Sequence, residues 1–472
     1  MTTSIPSSAA PSNPTQSDLT QMGLDSLWHP MVQHRGFTNK PPKRMARGAS
    51  CIVTDADGKD YLDGLSGLWC VNVGYGRQEL AEVAYQQMTE LAYYPLTATH
   101  EPAIRLAHKL IEMLGYPGKV FFCTSGSEAN ETAFKMARQY HAQTQPPGAG
   151  PRYKIISRYR GYHGHTMGAL SATAQAERKL KFEPLVPGFL HVQPPYYYRF
   201  GGDRSEAAYN QDLIRDLEHT ILHEGAQSIA AIVVEPIISG GGVIVPPDDY
   251  LAGVRSLCDR YGILLIYDEV VNGFGRTGKR FGHLHWNVQP DIITFAKGIT
   301  SGYMPLAATV AKQHVFEAFL DDDPLGDSHF RHLTTYGGHP VAAAVALKNI
   351  EIIDRENLDD RAAEMGAYLI DGLKQSIGSH PWVGDIRGKG LLVGIELVSD
   401  REAKTPLPSP QVVAITKHCA EAGVIVGRNT NTIPSFTNVL ILAPPLILTR
   451  GESDLIVGAI SNALEAIAPS FV

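Results

Sequence analysis

From about residue 100 to 300, short apolar runs alternate with longer stretches whose apolar positions recur at helical spacing. Glu101 and Pro102 mark a helix start. Beyond them Ile104, Leu106, Ala107, Leu110, Ile111 and Leu114 return every few positions, so a helix is predicted there. The apolar runs at 120–123, 153–157, 229–234, 263–267 and 292–296 are predicted strands, several of them continuously apolar as in a sheet covered on both faces. This alternation predicts an α/β domain around a mainly parallel sheet. The flanks read differently. Residues 50–63 form a hairpin pattern turning at Asp57-Gly58. An Ala-rich helix is expected over 341–353, strands near 393–398, 424–426 and 439–442, and a last helix opened by the capping box Thr449-x-x-Glu452. The expected organisation is an unstructured extension over 1–22, a large domain over 75–345, and a smaller α+β domain built from 23–74 and 346–472.

Composition narrows the partners. The chain has 472 residues, 44% of them apolar and 19% charged, enough to bury a large core. With a net charge of -7 and no Lys/Arg-rich run, the electrostatic case for nucleic acid or an anionic membrane is absent. No apolar stretch is long enough to span a bilayer, and no basic residue before Arg35 suggests a signal or transit segment. The five cysteines are scattered without a C-x-x-C pair, which favours reduced thiols in a cytoplasmic protein over a disulfide framework or zinc ribbon. Small molecules are the expected partners.

Candidate chemistry concentrates at strand ends. The run 263–267 delivers Asp268, and the run 292–296 delivers Lys297 into a glycine turn. An acid and an amine at the carboxyl ends of strands one βαβ step apart suit a cofactor carrying a ring nitrogen and an aldehyde, which is pyridoxal 5'-phosphate. The carboxylate would keep the ring nitrogen protonated; the amine would hold the aldehyde as an imine and later act as a general base. Between a predicted strand and a helix, Ser125, Gly126 and Ser127 form a turn whose free N–H groups suit a phosphate, although Ser-x-x-Glu is also an ordinary capping box. Other patterns are weaker. Gly273 to Lys279 fits G-x-x-x-x-G-K, but Arg280 stands where a nucleotide loop needs Ser or Thr. His163-x-His165 and His283-x-His285 lack further metal ligands in a recognisable pattern and read as loop or packing histidines. Asp321 to Asp323 read as a solvated acidic loop.

The run from Tyr267 to Gly278, with Pro290-Asp291-Ile292 and Ala296-Lys297-Gly298, resembles the signature of the class III aminotransferases, fold-type I pyridoxal-phosphate enzymes. Leu65 to Trp69, Ser125 to Asn130, Gly161 to Gly164, Glu235-Pro236-Ile237 and Thr335 to Pro340 are further landmarks in the family's order, so the resemblance covers nearly everything after residue 25. It implies that Lys297 carries the cofactor and Asp268 meets the pyridine nitrogen. Gly126 and Ser127 would hold the phosphate, Tyr162 would stack on one ring face and Val270 would pack on the other, with Glu235 near the substrate side. Thr335 matches a hydroxyl that reaches the neighbouring subunit's phosphate, so a homodimer or homotetramer with shared active sites is implied. The reaction implied is transfer from an amine donor to an oxo acid acceptor.

Trp28-His29-Pro30, Asn72 to Gly76, Asp323-Pro324-Leu325 and the lengthened loop from Gly423 to Asn438 resemble the taurine–pyruvate branch of that family. In this reading Trp69 and Tyr162 form substrate walls, and Arg428 or another cation near the pocket accepts a sulfonate or carboxylate. Arg428 falls one position later than the family's usual arginine. A broad ω-amine or β-alanine–pyruvate aminotransferase is the alternative, and a pyridoxal-dependent aminomutase or decarboxylase a more distant one.

Overall fold

The computed structural model describes residues 15–38, 40–322, 326–430 and 432–468. Seven strands form the central sheet: β1 (Gly118–Cys123), β2 (Lys154–Arg158), β3 (Phe189–Val192), β4 (Ile229–Val234), β5 (Leu264–Asp268), β6 (Ile292–Phe295) and β7 (Ala307–Lys312). Their spatial order is β1-β7-β6-β5-β4-β2-β3. Only β7 runs antiparallel to its neighbours β1 and β6; the other pairs are parallel. All six residues of β4 and all five of β5 are buried, as continuous apolar runs require when helices cover both faces. The protein is thus an α/β fold with a mainly parallel sheet.

Two strands escaped the periodicity. The edge strand β3 is short and only partly buried. The alanine-rich β7 has little of the β-branched character that marks a strand. Its direction follows from chain length, because the link from Phe295 to Ala307 is too short for a helical crossover.

Both chain ends meet beside the large sheet. The strands Met45–Ala49, Ile52–Asp55 and Asp60–Asp63 form an antiparallel ribbon, and Val424–Ile425 from the C-terminal part adds in parallel, with Val424 opposite Leu62. A second antiparallel sheet contains Val383–Lys389, Leu392–Asp400, Val439–Leu442 and Gly427–Arg428. Arg276 joins these parts: fully buried, it donates to Leu391 O, Asn72 Oδ1 and Ser66 Oγ. The glycine-rich stretch around it is therefore a structural clasp and not the phosphate loop its spacing mimics.

The unstructured extension expected through residue 22 is overtaken earlier. A helix spans Gln16–Ser26, opened by a reciprocal capping box in which Asp18 N donates to Thr15 Oγ1 and Thr15 N to Asp18 Oδ2. None of its residues is buried. Residues 1–14, and Asp323-Pro324-Leu325 with the end of the expected acidic loop, lie outside the described residues.

Candidate active site

Strand geometry assembles the site. Asp268 ends β5 and pairs in register with Thr294 of the adjacent β6, two residues before the chain turns at Ala296 into Lys297. Parallel strands place both groups at the same, carboxyl edge, where such sheets bind ligands. Glu235 follows the end of β4 and the Ser125 turn follows β1, so four strand ends converge. They enclose a cavity of about 200 Å³ lined by Trp69, Ser125, Gly126, Ser127, Tyr162, Glu235, Asp268, Val270 and Lys297. Eleven residues were named from the sequence as site candidates, and these nine line one cavity. A larger groove of about 950 Å³ runs past Glu90, His100, Arg105, Lys348 and Arg355, with charges of both signs and none of these groups.

Asp268 is 3% exposed and held from three sides. Its Oδ2 lies 2.8 Å from both Asn130 Nδ2 and His163 Nδ1, and its Oδ1 accepts from Val270 N at 3.1 Å. Thr294 Oγ1 donates to Asn130 Oδ1, which sets the amide so that its N–H groups point at the carboxylate and at His163 O. These three contacts fix the direction of the carboxyl. Sequence reasoning missed the role of Asn130 and set His163 aside as a loop or packing histidine. The signal for Asn130 was available, since it stands one helical turn after Gly126 and faces the same way.

Lys297 adopts φ 45°, a left-handed backbone conformation uncommon outside glycine. The kink re-aims its side chain at the end of β6, and Nζ lies 6.0 Å from the Trp69 ring. Trp69, which lines the same cavity, also has positive φ, 59°. Its indole N–H is buried without a partner among the described residues.

The Gly126–Thr144 helix starts at the cavity. Ser125 Oγ accepts from Glu128 N, and Glu128 Oε2 accepts in return from Thr124 N and Ser125 N. The capping box leaves the N–H groups of Gly126 and Ser127 without acceptors among the described residues, two free donors at the positive end of a helix dipole. Packing favours glycine at 126, because a Cβ there would stand 3.0 Å from both Val270 methyl groups. Gly164, at φ 137°, lets the backbone pass so close that a Cβ would meet Ser127 Oγ at 2.5 Å. Ser127 Oγ lies 3.1 Å from His165 Nδ1.

Glu235 is buried and accepts from Tyr162 N at 3.1 Å and Ser239 N at 2.9 Å, so it anchors the backbone that carries Tyr162. Burial pushes its carboxyl above the usual range, while His163 pulls the other way. These residues fit pyridoxal phosphate: free N–H groups for a phosphate, a fixed buried acid for a ring nitrogen, an amine for an aldehyde, and Tyr162 and Val270 to flank a flat ring.

Two candidates lie elsewhere. Thr335 is exposed and lines no part of this cavity. It belongs to a patch where Tyr93 Oη donates to Thr335 O and the Tyr93 and Tyr336 rings meet at 5.8 Å. Arg428 lines a separate cavity with Glu177, Thr405, Ser409 and Phe436, which shares no wall residue with the first. Arg428 pairs opposite Leu440 in the C-terminal sheet and lines this second cavity. Burial lowers its pKa, and no acid pairs with it among the described residues.

Fold and site together define a pyridoxal-phosphate-dependent transferase of fold type I. Within that class the chain belongs to the class III aminotransferases: the family model described as Aminotransferase class-III matches residues 36–464. It is 49% identical over 449 residues to the uncharacterized aminotransferase YhxA of Bacillus subtilis, covering 95% of this chain and 97% of that one. It is 42% identical over 458 residues to the taurine–pyruvate aminotransferase of Bilophila wadsworthia, with 97% and 99% covered. The omega transaminase of Pseudomonas jessenii in complex with PMP superposes with a TM-score of 0.89 at 38% identity, covering 96% of this chain and 98% of that one.

Proposed function

We propose that this aminotransferase moves the amino group of an ω-amino donor, taurine, to pyruvate, leaving sulfoacetaldehyde and L-alanine. The 42% identity to a taurine–pyruvate aminotransferase over almost the whole chain carries this reading. When bound, the cofactor supplies an electron-withdrawing ring and an aldehyde that exchanges amines. Lys297 is the residue that would carry it, and its amine would be the base that moves the proton at the donor's reacting carbon. Asp268, oriented by Asn130, His163 and Val270 N, faces the ring nitrogen. The Gly126 and Ser127 N–H groups with Ser127 Oγ hold the phosphate, and Tyr162 and Val270 flank the ring. Glu235 keeps Tyr162 in place, and Trp69 walls the donor side.

The active unit in this proposal is a homodimer or homotetramer, in the cytoplasm. The exposed apolar cluster around Thr335, made of Tyr93, Tyr94, Leu96, Leu333 and Tyr336, supports it, since contiguous apolar surface of this kind marks an interaction site. Thr335 would then complete the phosphate site of the second copy.

A broader ω-amine or β-alanine–pyruvate activity is the second reading, favoured by the superposition on an omega transaminase and by the place of Arg428 in the lining of a different cavity. Alanine formation from pyruvate with purified, cofactor-loaded protein separates the two. Alanine with taurine as donor supports the proposal. No alanine with taurine beside rapid turnover of β-alanine or a neutral amine rejects the donor and leaves the class intact.

A further inference from the structure

His165, whose spacing suggested a loop or packing histidine, lines the cavity of Lys297 together with Ser125, Gly126 and Ser127. Its backbone N–H donates to Ser127 Oγ at 3.1 Å, and its ring Nδ1 lies 3.1 Å from the same oxygen. The Gly126–Thr144 helix clasps this loop on either side of the histidine. One turn after Ser127, Asn130 Nδ2 donates to His163 O at 2.7 Å, and Glu131 Oε1 accepts from Thr166 Oγ1, Gly168 N and Ala169 N. Gly164 lets the two segments approach, since a Cβ there would stand 2.5 Å from Ser127 Oγ. His165 is thus fixed against the serine, while its ring Nε2 has no hydrogen-bond partner among the described residues.

A serine hydroxyl has one proton to give and two lone pairs with which to accept. One lone pair of Ser127 Oγ is taken by the His165 N–H. Nδ1 decides the rest. Without a proton it can only accept, and it captures the Ser127 O–H. With a proton it donates to the second lone pair, which leaves the Ser127 O–H for another acceptor. The acceptor that the free N–H groups of Gly126 and Ser127 also suit is the cofactor's phosphate.

We propose that His165, as an imidazolium, is a positioning residue of the phosphate cradle: its Nδ1–H donates to Ser127 Oγ and turns the Ser127 O–H to the cofactor's phosphate. No covalent bond changes. As pH rises and His165 loses its proton, the hydroxyl turns back to Nδ1 and the hold on the phosphate loosens; the phosphate's negative charge favours the imidazolium in return. The titratable groups around it are Tyr162 and His163 on its own loop, Glu128 and Glu131 on the helix, and Glu235, Asp268 and Lys297 lining the same cavity. Among the described residues none of these hydrogen-bonds the His165 ring, so Ser127 is the group that responds to its protonation. The inference concerns the cofactor and holds whichever amine is the donor.

The test titrates the full chain, stripped of cofactor, with pyridoxal 5'-phosphate and with pyridoxal, which lacks the phosphate, and follows visible absorbance. The ratio of the two dissociation constants isolates the hold on the phosphate. His165→Asn keeps an N–H donor near the place of Nδ1 but cannot titrate; His165→Ala keeps neither. The ratio in His165→Asn is expected to exceed that in His165→Ala by roughly three- to tenfold, the effect of one hydrogen bond. With Ser127→Ala added to each, that difference should vanish. Between about pH 5.5 and pH 8.5 the wild-type ratio, divided by the His165→Asn ratio to remove the phosphate's own titration, should fall by roughly three- to tenfold as pH rises. Equal ratios in the asparagine and alanine variants overturn the proposal, and so does an equal loss for both ligands, which would leave His165 as support for the loop. A difference that survives Ser127→Ala overturns the route through the hydroxyl, and a quotient level with pH overturns the role of the imidazolium. Should wild type bind both ligands equally, the phosphate cradle itself fails and the proposal with it.

Discussion

Asp268→Asn removes one charge and almost no volume, so it isolates what the carboxylate contributes. Three donors face this group: Asn130 Nδ2 and His163 Nδ1 on Oδ2, and Val270 N on Oδ1. An asparagine keeps the first two by placing its oxygen where Oδ2 was. Its amide then opposes the Val270 N–H, donor against donor, for a cost of about 1–3 kcal/mol. The reverse orientation confronts two donors and is worse. The protein should therefore fold with a modestly lowered Tm. The chemical loss is larger. An opposite charge within a few ångströms raises a cation's pKa by about 1–3 units, so without it the protonated fraction of a ring nitrogen held there falls by roughly 10- to 1000-fold. We expect kcat for alanine formation to drop by about two to three orders of magnitude with KM little changed, the pattern of an interaction strengthened in the transition state. Cofactor affinity, titrated by visible absorbance on apoprotein, should change by about tenfold or less, because the phosphate cradle and ring contacts remain. Activity within threefold of wild type would falsify the assignment. So would a loss that excess cofactor restores in full.

Lys297→Ala should abolish transamination, and borohydride treatment should no longer fix the cofactor to the chain; a labelled peptide elsewhere would count against Lys297. For self-association, Thr335→Ala and Lys297→Ala subunits, each nearly inactive alone, are expected to recover about a quarter of wild-type activity when unfolded and refolded together, as random pairing into twofold assemblies provides. No recovery in a verified hybrid would mean that Thr335 serves only its own subunit. A third prediction concerns acid. His141 is 4% exposed, Nε2 lies 2.9 Å from Ala230 O, and burial pushes its pKa down to about 4 from an ordinary value of 6.5. The unfolded chain binds the proton more readily, so this group's contribution is complete above the unfolded pKa and is lost as pH falls toward 4. Between pH 7 and pH 5 the loss is about 2 kcal/mol. Urea unfolding of apoprotein at both pH values should show a smaller acid loss for His141→Gln by about that amount; equal losses would refute the cause.

Much of the site was legible before any fold was known. Asp268 and Lys297 stand at strand ends that continuous apolar runs announce, and the Ser125 turn reads as a helix start because a capping box is a contact between neighbours in the chain. The class III landmarks supplied the roles that residues far apart would play. What spacing did not reveal were Asn130 and His163 as partners of Asp268, because their meeting depends on a helix after β1 and a loop after β2 converging over the end of β5.

The sequence by itself determined the elements whose causes are local: burial pattern over five or six residues, turn and cap chemistry over three, and the order in which strands deliver their last residues. Tertiary structure decided which side chains share a space. It set Arg428 in the lining of a second cavity, slotted β7 antiparallel between β1 and β6, and drew Asn130 and His163 from two distant segments onto one carboxylate. Local rules act through the backbone over a few bonds, whereas these juxtapositions depend on how helices cover the sheet and where loops bring the chain back. Periodicity along a chain carries the first kind of information and only packing in three dimensions supplies the second.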